Sequence, residues 1–163
     1  MRRLLLLLAL ATVATTASAI DDAGDRAALL DLFASTGGAQ WIHADNWTSS
    51  ESFCTWFGVE CSCAGAVCRV AALDVHANNL RGVLRDSIGA LTQLAYLDVG
   101  RNAGLGGSVP ASMGNLTQLV NLRLGDSALN GTVPAALANL LALQQLDLVW
   151  RLVPVLSWHG FVQ

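Results

Sequence analysis

The chain has 163 residues, enough for one modest domain, and 53% of them are hydrophobic. Its formal net charge is −3 at pH 7, and every basic residue is an arginine. Because nucleic-acid binding depends on clustered cations, this charge argues against a nucleic-acid partner.

The first 19 residues have the layout of a secretory signal peptide. Arg2 and Arg3 precede an apolar run over residues 4–10, and the small residues 17–19 form an A-x-A cleavage pattern. The apolar run is too short for a membrane-spanning helix. We therefore predict that residues 1–19 are removed and that the protein is secreted or lies on the extracellular face of the plasma membrane. Without Arg2 and Arg3 the formal charge becomes 7 − 12 = −5.

The segment after the signal peptide predicts one helix of about three turns. Asp22 or Asp25 can accept hydrogen bonds at the helix start, and an apolar helical face ends before Gly37 and Gly38. Bulky aromatic residues follow, and we expect them to pack in a small core rather than form a ligand platform. They are Trp41, Trp47, Trp56 and Phe57.

Residues 70–148 repeat one pattern three times and begin it a fourth time. Starts at Val70, Leu94, Leu119 and Leu143 give spacings of 24, 25 and 24 residues, which are typical of stacked repeats. Each copy contains an L-x-L segment whose period of two predicts a short strand.

Small and polar residues recur at fixed places after each predicted strand. Asn78 and Asn102 are expected to hydrogen-bond backbone groups that would otherwise be buried unpaired, and Ser127 is a weaker substitute. The glycines at positions 82, 107 and 131 suit a backbone conformation or close approach that a side chain would block.

In this repeated pattern the chain resembles plant-type leucine-rich repeats of 24 residues. Residues 54–61, read CTWFGVEC, together with the preceding helix and Trp47 resemble the cap before such repeats. That cap is found in receptor-like kinase ectodomains, polygalacturonase inhibitors and related protist surface proteins. The resemblance implies an α/β solenoid: a short right-handed repeat stack with parallel strands on the concave face. A helical, disulfide-bonded cap over residues 20–69 would precede it.

Four cysteines in an oxidising compartment predict two disulfides, with three possible connectivities. The family's C-x-W-x-G-V-x-C segment is disulfide-bonded, which implies a Cys54–Cys61 pair and leaves Cys63 with Cys68 around a predicted hairpin turn. The competing reading is a zinc site of Cys61, Cys63, Cys68 and His76, but C-x-C is not the usual zinc spacing. We therefore predict no metal site.

Three N-x-[ST] sequons predict N-glycosylation, at Asn46, Asn115 and Asn130.

Outward-facing residues of the four predicted strands form columns across the concave face. The first contains Ala72, Tyr96, Asn121 and Gln145; the second Asp74, Asp98, Arg123 and Asp147; the third His76, Gly100, Gly125 and Val149. We predict that ligand is bound by Asp74, His76, Tyr96, Asp98, Asn121, Arg123, Gln145 and Asp147. The charged column suits a basic peptide or a hydroxylated glycan, although exposed charge also serves solubility. His76 and Asp98 are expected to form a hydrogen-bonded pair.

The sequence contains no recognised catalytic motif, and His43, His76 and His159 lie far apart. We therefore expect no enzyme activity and no cofactor. The predicted function is extracellular recognition of a protein, peptide or glycan. The alternatives are a structural wall or surface protein, and an inhibitor of a secreted polysaccharide-degrading enzyme.

The repeat pattern ends after Leu148. Arg151 stands where asparagine is expected and Val155 where glycine is expected. Residues 149–163 are interpreted as an irregular tail, either a cap over the last strand or a product of truncation, and the abrupt departure favours truncation. Charged residues interrupt any membrane span there.

Overall fold

The computed structural model describes residues 20–148. The predicted signal peptide, residues 1–19, and the predicted tail, residues 149–163, lie outside this range. Among the described residues, no helix is both long and apolar enough to cross a membrane. The strands are β1 (Ile20–Asp21), β2 (Val59–Ala64), β3 (Val67–Asp74), β4 (Arg81–Val83), β5 (Tyr96–Asp98), β6 (Gly104–Ser108), β7 (Asn121–Arg123), β8 (Ala128–Asn130) and β9 (Gln145–Asp147). The helices are α1 (Ala23–Ser35) and five 3₁₀ helices, η1 (Gly38–Gln40), η2 (Phe53–Thr55), η3 (Asp86–Ala90), η4 (Ala111–Asn115) and η5 (Ala135–Asn139).

Helix α1 begins and ends where the sequence predicts. The Asp22 carboxylate caps its first turn by accepting hydrogen bonds from the backbone amides of Gly24 and Asp25, each at 3.0 Å. Asp25 has a different role: its side chain is fully buried and holds Arg69 with two hydrogen bonds, at 2.8 and 2.9 Å. The backbone amide of Val70 also donates to Asp25, so this carboxylate fastens α1 to the start of the first repeat.

The aromatic residues before the repeats form the core of the cap, here the described residues 20–69. The Trp41 and Trp47 rings lie 4.8 Å apart edge to face, and Phe33 packs on both of them. Trp56 lies 5.1 Å from Trp47 and is nearly completely buried. The predicted role of the tryptophans in core packing is therefore what the structure shows, while Phe57 is only partly buried at its edge.

A parallel sheet runs along the stack in the order β1-β3-β5-β7-β9, and β2 pairs antiparallel with β3. The central leucine of each short strand aligns with that of the next, as Leu97 does with Leu122. These side chains are fully buried in β3, β5 and β7. Leu146 at the same place in β9 is 49% exposed, because no further described strand covers it.

Each repeat also contributes elements that the sequence analysis did not predict. Strands β4, β6 and β8 form a second parallel sheet, and η3, η4 and η5 pack against one another in turn. Helix α1 packs on η3, so the cap helix extends the row of 3₁₀ helices. The stack therefore has an elongated apolar core closed at its N-terminal end by the cap.

The polar position after each strand carries the predicted hydrogen bonds. The Asn102 amide donates to the carbonyls of Val75, Val99 and Gly100 at 2.9–3.1 Å. Its oxygen accepts from the backbone amides of Asn78 and Leu80. Asn102 thus joins two repeats through groups that are buried from water.

The neighbouring copies of this position are used differently. The Asn78 side chain exchanges two hydrogen bonds with the backbone of His43 and so joins the first repeat to the cap. Ser127 makes one hydrogen bond, to the carbonyl of Leu124 at 2.7 Å. The weaker role expected for Ser127 agrees with this smaller set of contacts.

Candidate functional site

The strand pairing places the predicted columns side by side on the main sheet. Ala72 pairs with Tyr96, Tyr96 with Asn121, and Asn121 with Gln145. In the second column Asp74 pairs with Asp98, Asp98 with Arg123, and Arg123 with Asp147. Parallel strands lie about 4.8 Å apart, so each of these residues is held within reach of its neighbours.

A pocket of about 440 Å³ lies over the ends of these strands. It is lined by Asp74, His76, Tyr96, Asp98, Gly100, Arg101, Arg123, Gly125, Asp126 and Asp147. Two predicted residues, Asn121 and Gln145, do not line it. A neighbouring pocket of about 560 Å³ shares Asp74 and Tyr96 and extends toward Gly58 and Glu60.

Arg123, in the charged second column, contacts three side chains of the concave face. Its guanidinium carbon lies 5.7 Å from the Tyr96 ring centroid, a cation–π arrangement, and one of its nitrogens lies 3.4 Å from the tyrosine hydroxyl. The guanidinium also lies 3.7 Å from Asp98 and 3.5 Å from the Gln145 side-chain oxygen. Arg123 is nevertheless exposed, so it is available to a ligand.

Asp98 and Tyr96 are held more firmly. Asp98 is only 7% exposed, and its carboxylate accepts a hydrogen bond from the Gly100 amide at 2.9 Å and another from the Tyr96 hydroxyl at 3.3 Å. The pKa of Tyr96 is raised, first by burial and then by the nearby charges of Asp98 and Asp74. The tyrosine is therefore a neutral hydrogen-bonding group on this face.

His76 has a different partner from the one predicted. Its Nδ1 lies 2.6 Å from the carboxylate of Asp74 on the same chain segment, and its backbone amide also donates to that carboxylate. The predicted hydrogen bond to Asp98 is not formed. The intervening residue Val75 is buried, so His76 turns outward beside the residue two positions before it.

Two residues of the third predicted column, Gly100 and Gly125, are glycines, so they offer only backbone groups. Val149 lies outside the described residues. Gly100 donates its amide to Asp98, and the Gly125 carbonyl accepts from the Arg101 amide. Arg101 and Asp126, which the sequence analysis missed, line the pocket directly after these glycines. Both have positive φ, of 56° and 54°. The signal that could have identified them is their shared position, one residue beyond each glycine of the third column.

Both disulfides lie in the cap, between Cys54 and Cys61 and between Cys63 and Cys68. The first pair is the one that the family resemblance implies, and the second closes the hairpin of β2 and β3, where Cys63 stands opposite Cys68. No cysteine is free. The alternative zinc site of Cys61, Cys63, Cys68 and His76 is therefore wrong, because its thiols are consumed by the disulfides.

The three sequon asparagines, Asn46, Asn115 and Asn130, are all exposed. The Asn46 side-chain amide donates to the Thr55 carbonyl at 2.9 Å, whereas Asn115 ends η4 and Asn130 ends β8. His43, one of the histidines considered for catalysis, stacks on Phe57 in the cap at a ring distance of 5.0 Å.

Comparison with known proteins identifies the cap and finds relatives among plant receptors. Residues 22–62 match the family model described as the leucine rich repeat N-terminal domain. Phytosulfokine receptor 1 of Arabidopsis thaliana is 36% identical over 90 residues, which cover 55% of this chain and 8% of the receptor. The chain thus spans less than a tenth of the length of the curated relatives it matches.

Among solved structures, the ectodomain of the receptor kinase SOBIR1 from Arabidopsis thaliana superposes with a TM-score of 0.66 at 27% identity, over 80% of this chain and 68% of that one. A plant ice-binding protein superposes with a TM-score of 0.68 at 30% identity, over 79% of this chain and 41% of that one. The family model thus matches the cap, and the two superpositions support the fold of the chain as a whole. Residues 20–148 thus have the fold of a leucine-rich repeat solenoid with a cysteine-containing N-terminal cap, and they are similar to the repeat ectodomains of plant receptor kinases.

Proposed function

We propose that the protein is an extracellular recognition module that binds a protein, peptide or glycan through the concave face of its repeats. One observation carries the proposal: polar side chains of the parallel strands stand in register around a pocket of about 440 Å³. Because the strands fix these groups before a partner arrives, binding them costs little conformational entropy. This favours recognition over a purely structural role.

The relatives support a recognition function. Phytosulfokine receptor 1 and the SOBIR1 receptor kinase are both named as receptors, and in the second case it is the repeat ectodomain that this chain resembles. Catalysis in a kinase belongs to its kinase domain, whereas the part of SOBIR1 on which this chain superposes is the repeat ectodomain. We therefore infer a binding role without enzyme activity for this module.

The charges around the pocket favour a basic ligand among those considered. Its lining includes four aspartates, at positions 74, 98, 126 and 147, and two arginines, at positions 101 and 123, which leaves two negative charges in excess (4 − 2) if His76 is neutral. A peptide with arginine or lysine side chains would complement this charge. Tyr96 adds a rigid aromatic surface of the kind that contributes strongly to binding.

The proposed setting follows from the sequence. Residues 1–19 direct secretion, residues 20–69 form the cap, and residues 70–148 form the repeats. Glycans at the exposed Asn46, Asn115 and Asn130 would leave the concave pocket open, because none of these residues lines it. A shift in gel mobility after enzymatic deglycosylation is the expected result.

The proposal is tested by immobilising the purified chain and incubating it with fluid from its native extracellular environment. The captured partner is identified and its binding isotherm is measured against the wild type, Tyr96→Ala and Arg123→Ala. Loss of a central aromatic or arginine contact costs about 2 kcal/mol, so each variant should bind about thirtyfold more weakly.

Arg81→Ala is the matched control, because Arg81 is an exposed arginine on β4 in the other sheet. It should bind as the wild type does. Equal affinity of the wild type and both concave variants would show that the concave face is not the binding surface. Absence of any saturable partner would favour the structural alternative, and capture of a polysaccharide-degrading enzyme with loss of its activity would favour the inhibitor.

A further inference from the structure

We propose that Asp74, His76 and Asp98 form a binding site for a divalent transition-metal ion of the zinc class, where β3 and β5 end at the concave pocket. This inference goes beyond the proposed recognition function, because the ion binds whether or not a partner is present. It also places a metal on the face where the sequence analysis predicted none.

The three side chains are brought together by the strand register. Asp74 and Asp98 are direct partners on adjacent parallel strands, and His76 follows Asp74 by two residues. One ligand atom from each lies within 4.8 Å of the others. Ligands of a tetrahedral zinc ion at about 2.1 Å are roughly 3.4 Å apart, so small side-chain rotations suffice to enclose the ion.

The kind of ligand selects the kind of metal. An imidazole nitrogen suits zinc, copper and nickel, whereas sites for calcium and magnesium are built from oxygen ligands alone. His76 lies 2.6 Å from Asp74 through Nδ1, and it is half exposed, so its ring can turn onto an ion. If the ion binds Nδ1, the neutral imidazole carries its proton on Nε2.

The electrostatics of the pocket favour a cation at this place. Like charges directly opposite on neighbouring strands are destabilising, and here two carboxylates form such a pair. Arg123 lies 3.7 Å from Asp98 and balances one charge, yet the pocket lining retains an excess of two negative charges.

Asp98 is held ready for coordination by its surroundings. The Gly100 amide binds one of its oxygens at 2.9 Å, and the Tyr96 hydroxyl lies 3.3 Å from the other. Such supporting hydrogen bonds orient metal ligands. Three protein ligands leave at least one coordination position of the ion open to the pocket, for water or for a donor atom of a bound partner.

The test uses the intact, disulfide-bonded chain, purified without a polyhistidine tag. Titration with Zn²⁺ in a calorimeter should show one ion per chain, and Co²⁺ should give a visible absorption band as it enters the same site. His76→Ala and Asp74→Asn should each weaken Zn²⁺ binding at least tenfold, because each removes a ligand. Circular dichroism confirms that both variants fold.

Two variants serve as matched controls. His43→Ala removes an exposed histidine in the cap, and Asp86→Asn removes an exposed carboxylate on η3, outside the pocket lining. Both should bind Zn²⁺ as the wild type does. The proposal is overturned if the wild type takes up no Zn²⁺ at 100-fold excess, if His76→Ala binds it unchanged, or if Ca²⁺ competes equally with Zn²⁺.

Discussion

Asn102 shows how one side chain can hold two repeats together. Five backbone groups use its amide as their hydrogen-bond partner, and the side chain is 1% exposed, so water cannot replace it. A buried polar group left unpaired costs about 1–3 kcal/mol. The Asn102 side chain therefore stabilises the turn by satisfying backbone groups that water cannot reach.

Asn102→Ala is expected to lower the free energy of unfolding by about 3 kcal/mol, because it leaves the Asn78 and Leu80 amides unpaired in the core. Ser127→Ala, at the same position of the next repeat, removes one hydrogen bond and should cost about 1 kcal/mol. Urea unfolding of both variants measures the difference. Equal losses would show that the extra contacts of Asn102 add no stability.

Asp25 shows a residue whose role depends on distant parts of the chain. The sequence offers it as a possible helix cap, a role that Asp22 fills. In the folded chain its carboxylate is paired with Arg69, 44 residues away. The hydrogen bond to Asp25 raises the pKa of the Arg69 guanidinium, and this effect outweighs burial, which lowers it. Arg69 therefore stays charged over the whole accessible pH range.

At the scale of the element, strand β4 of the second sheet lies directly against the end of the cap helix α1. Gly82 in β4 has φ of 118°, and a Cβ there would overlap the backbone carbonyl oxygen of Ser35 at the end of α1. Gly131 occupies the matching position two repeats later with φ of 82°, but its nearest neighbour would be the Ser108 Cβ at 3.6 Å. Both glycines have a positive φ, but the space around them differs.

Gly82→Ala should therefore destabilise the protein by at least about 3 kcal/mol, from strain at positive φ together with the backbone overlap. Gly131→Ala should cost about 1 kcal/mol, from the strain alone. Thermal unfolding followed by circular dichroism compares the two. If both variants unfolded at the same temperature, the contact between β4 and α1 would not contribute to stability.

At the scale of the whole molecule, the cap closes one end of the stack, and its own core is small. Two disulfides compensate, with sequence separations of 7 and 5 residues between the paired cysteines. By loop-closure entropy each contributes about 2–2.5 kcal/mol. Because Asp25 and Asn78 join the cap to the first repeat, loosening the cap should also expose the core of that repeat.

Replacing both cysteines of either pair by serine should lower the free energy of unfolding by about 2 kcal/mol. A thiol reductant should lower the unfolding temperature of the wild type and of each double variant, but not that of a variant lacking both disulfides. That last variant is the control for effects of the reductant itself. An unchanged unfolding temperature of the wild type after complete reduction would contradict this role of the disulfides.

The sequence by itself determined the repeat architecture. The 24-residue spacing and the L-x-L segments predicted stacked repeats with one short strand each, and the capping aspartates with the apolar face predicted the cap helix. The resemblance to plant-type leucine-rich repeats implied the parallel sheet and the disulfide-bonded cap. The glycines at 82, 107 and 131 all have positive φ, as their pattern suggested. These features depend on local periodicity and on the residue types at turns, and both can be read from one or two repeats of the sequence.

Only the tertiary structure decided which outward side chains meet at the candidate site. The columns were predictable because strand register follows the repeat. The His76–Asp74 contact and the positions of Arg101 and Asp126 at the pocket depend on loop conformation. The repeat period does not predict that conformation. The Asp25–Arg69 pair likewise joins residues of the cap that no repeat relates. Periodic positions are fixed by stacking, whereas contacts outside the period depend on how the whole chain packs.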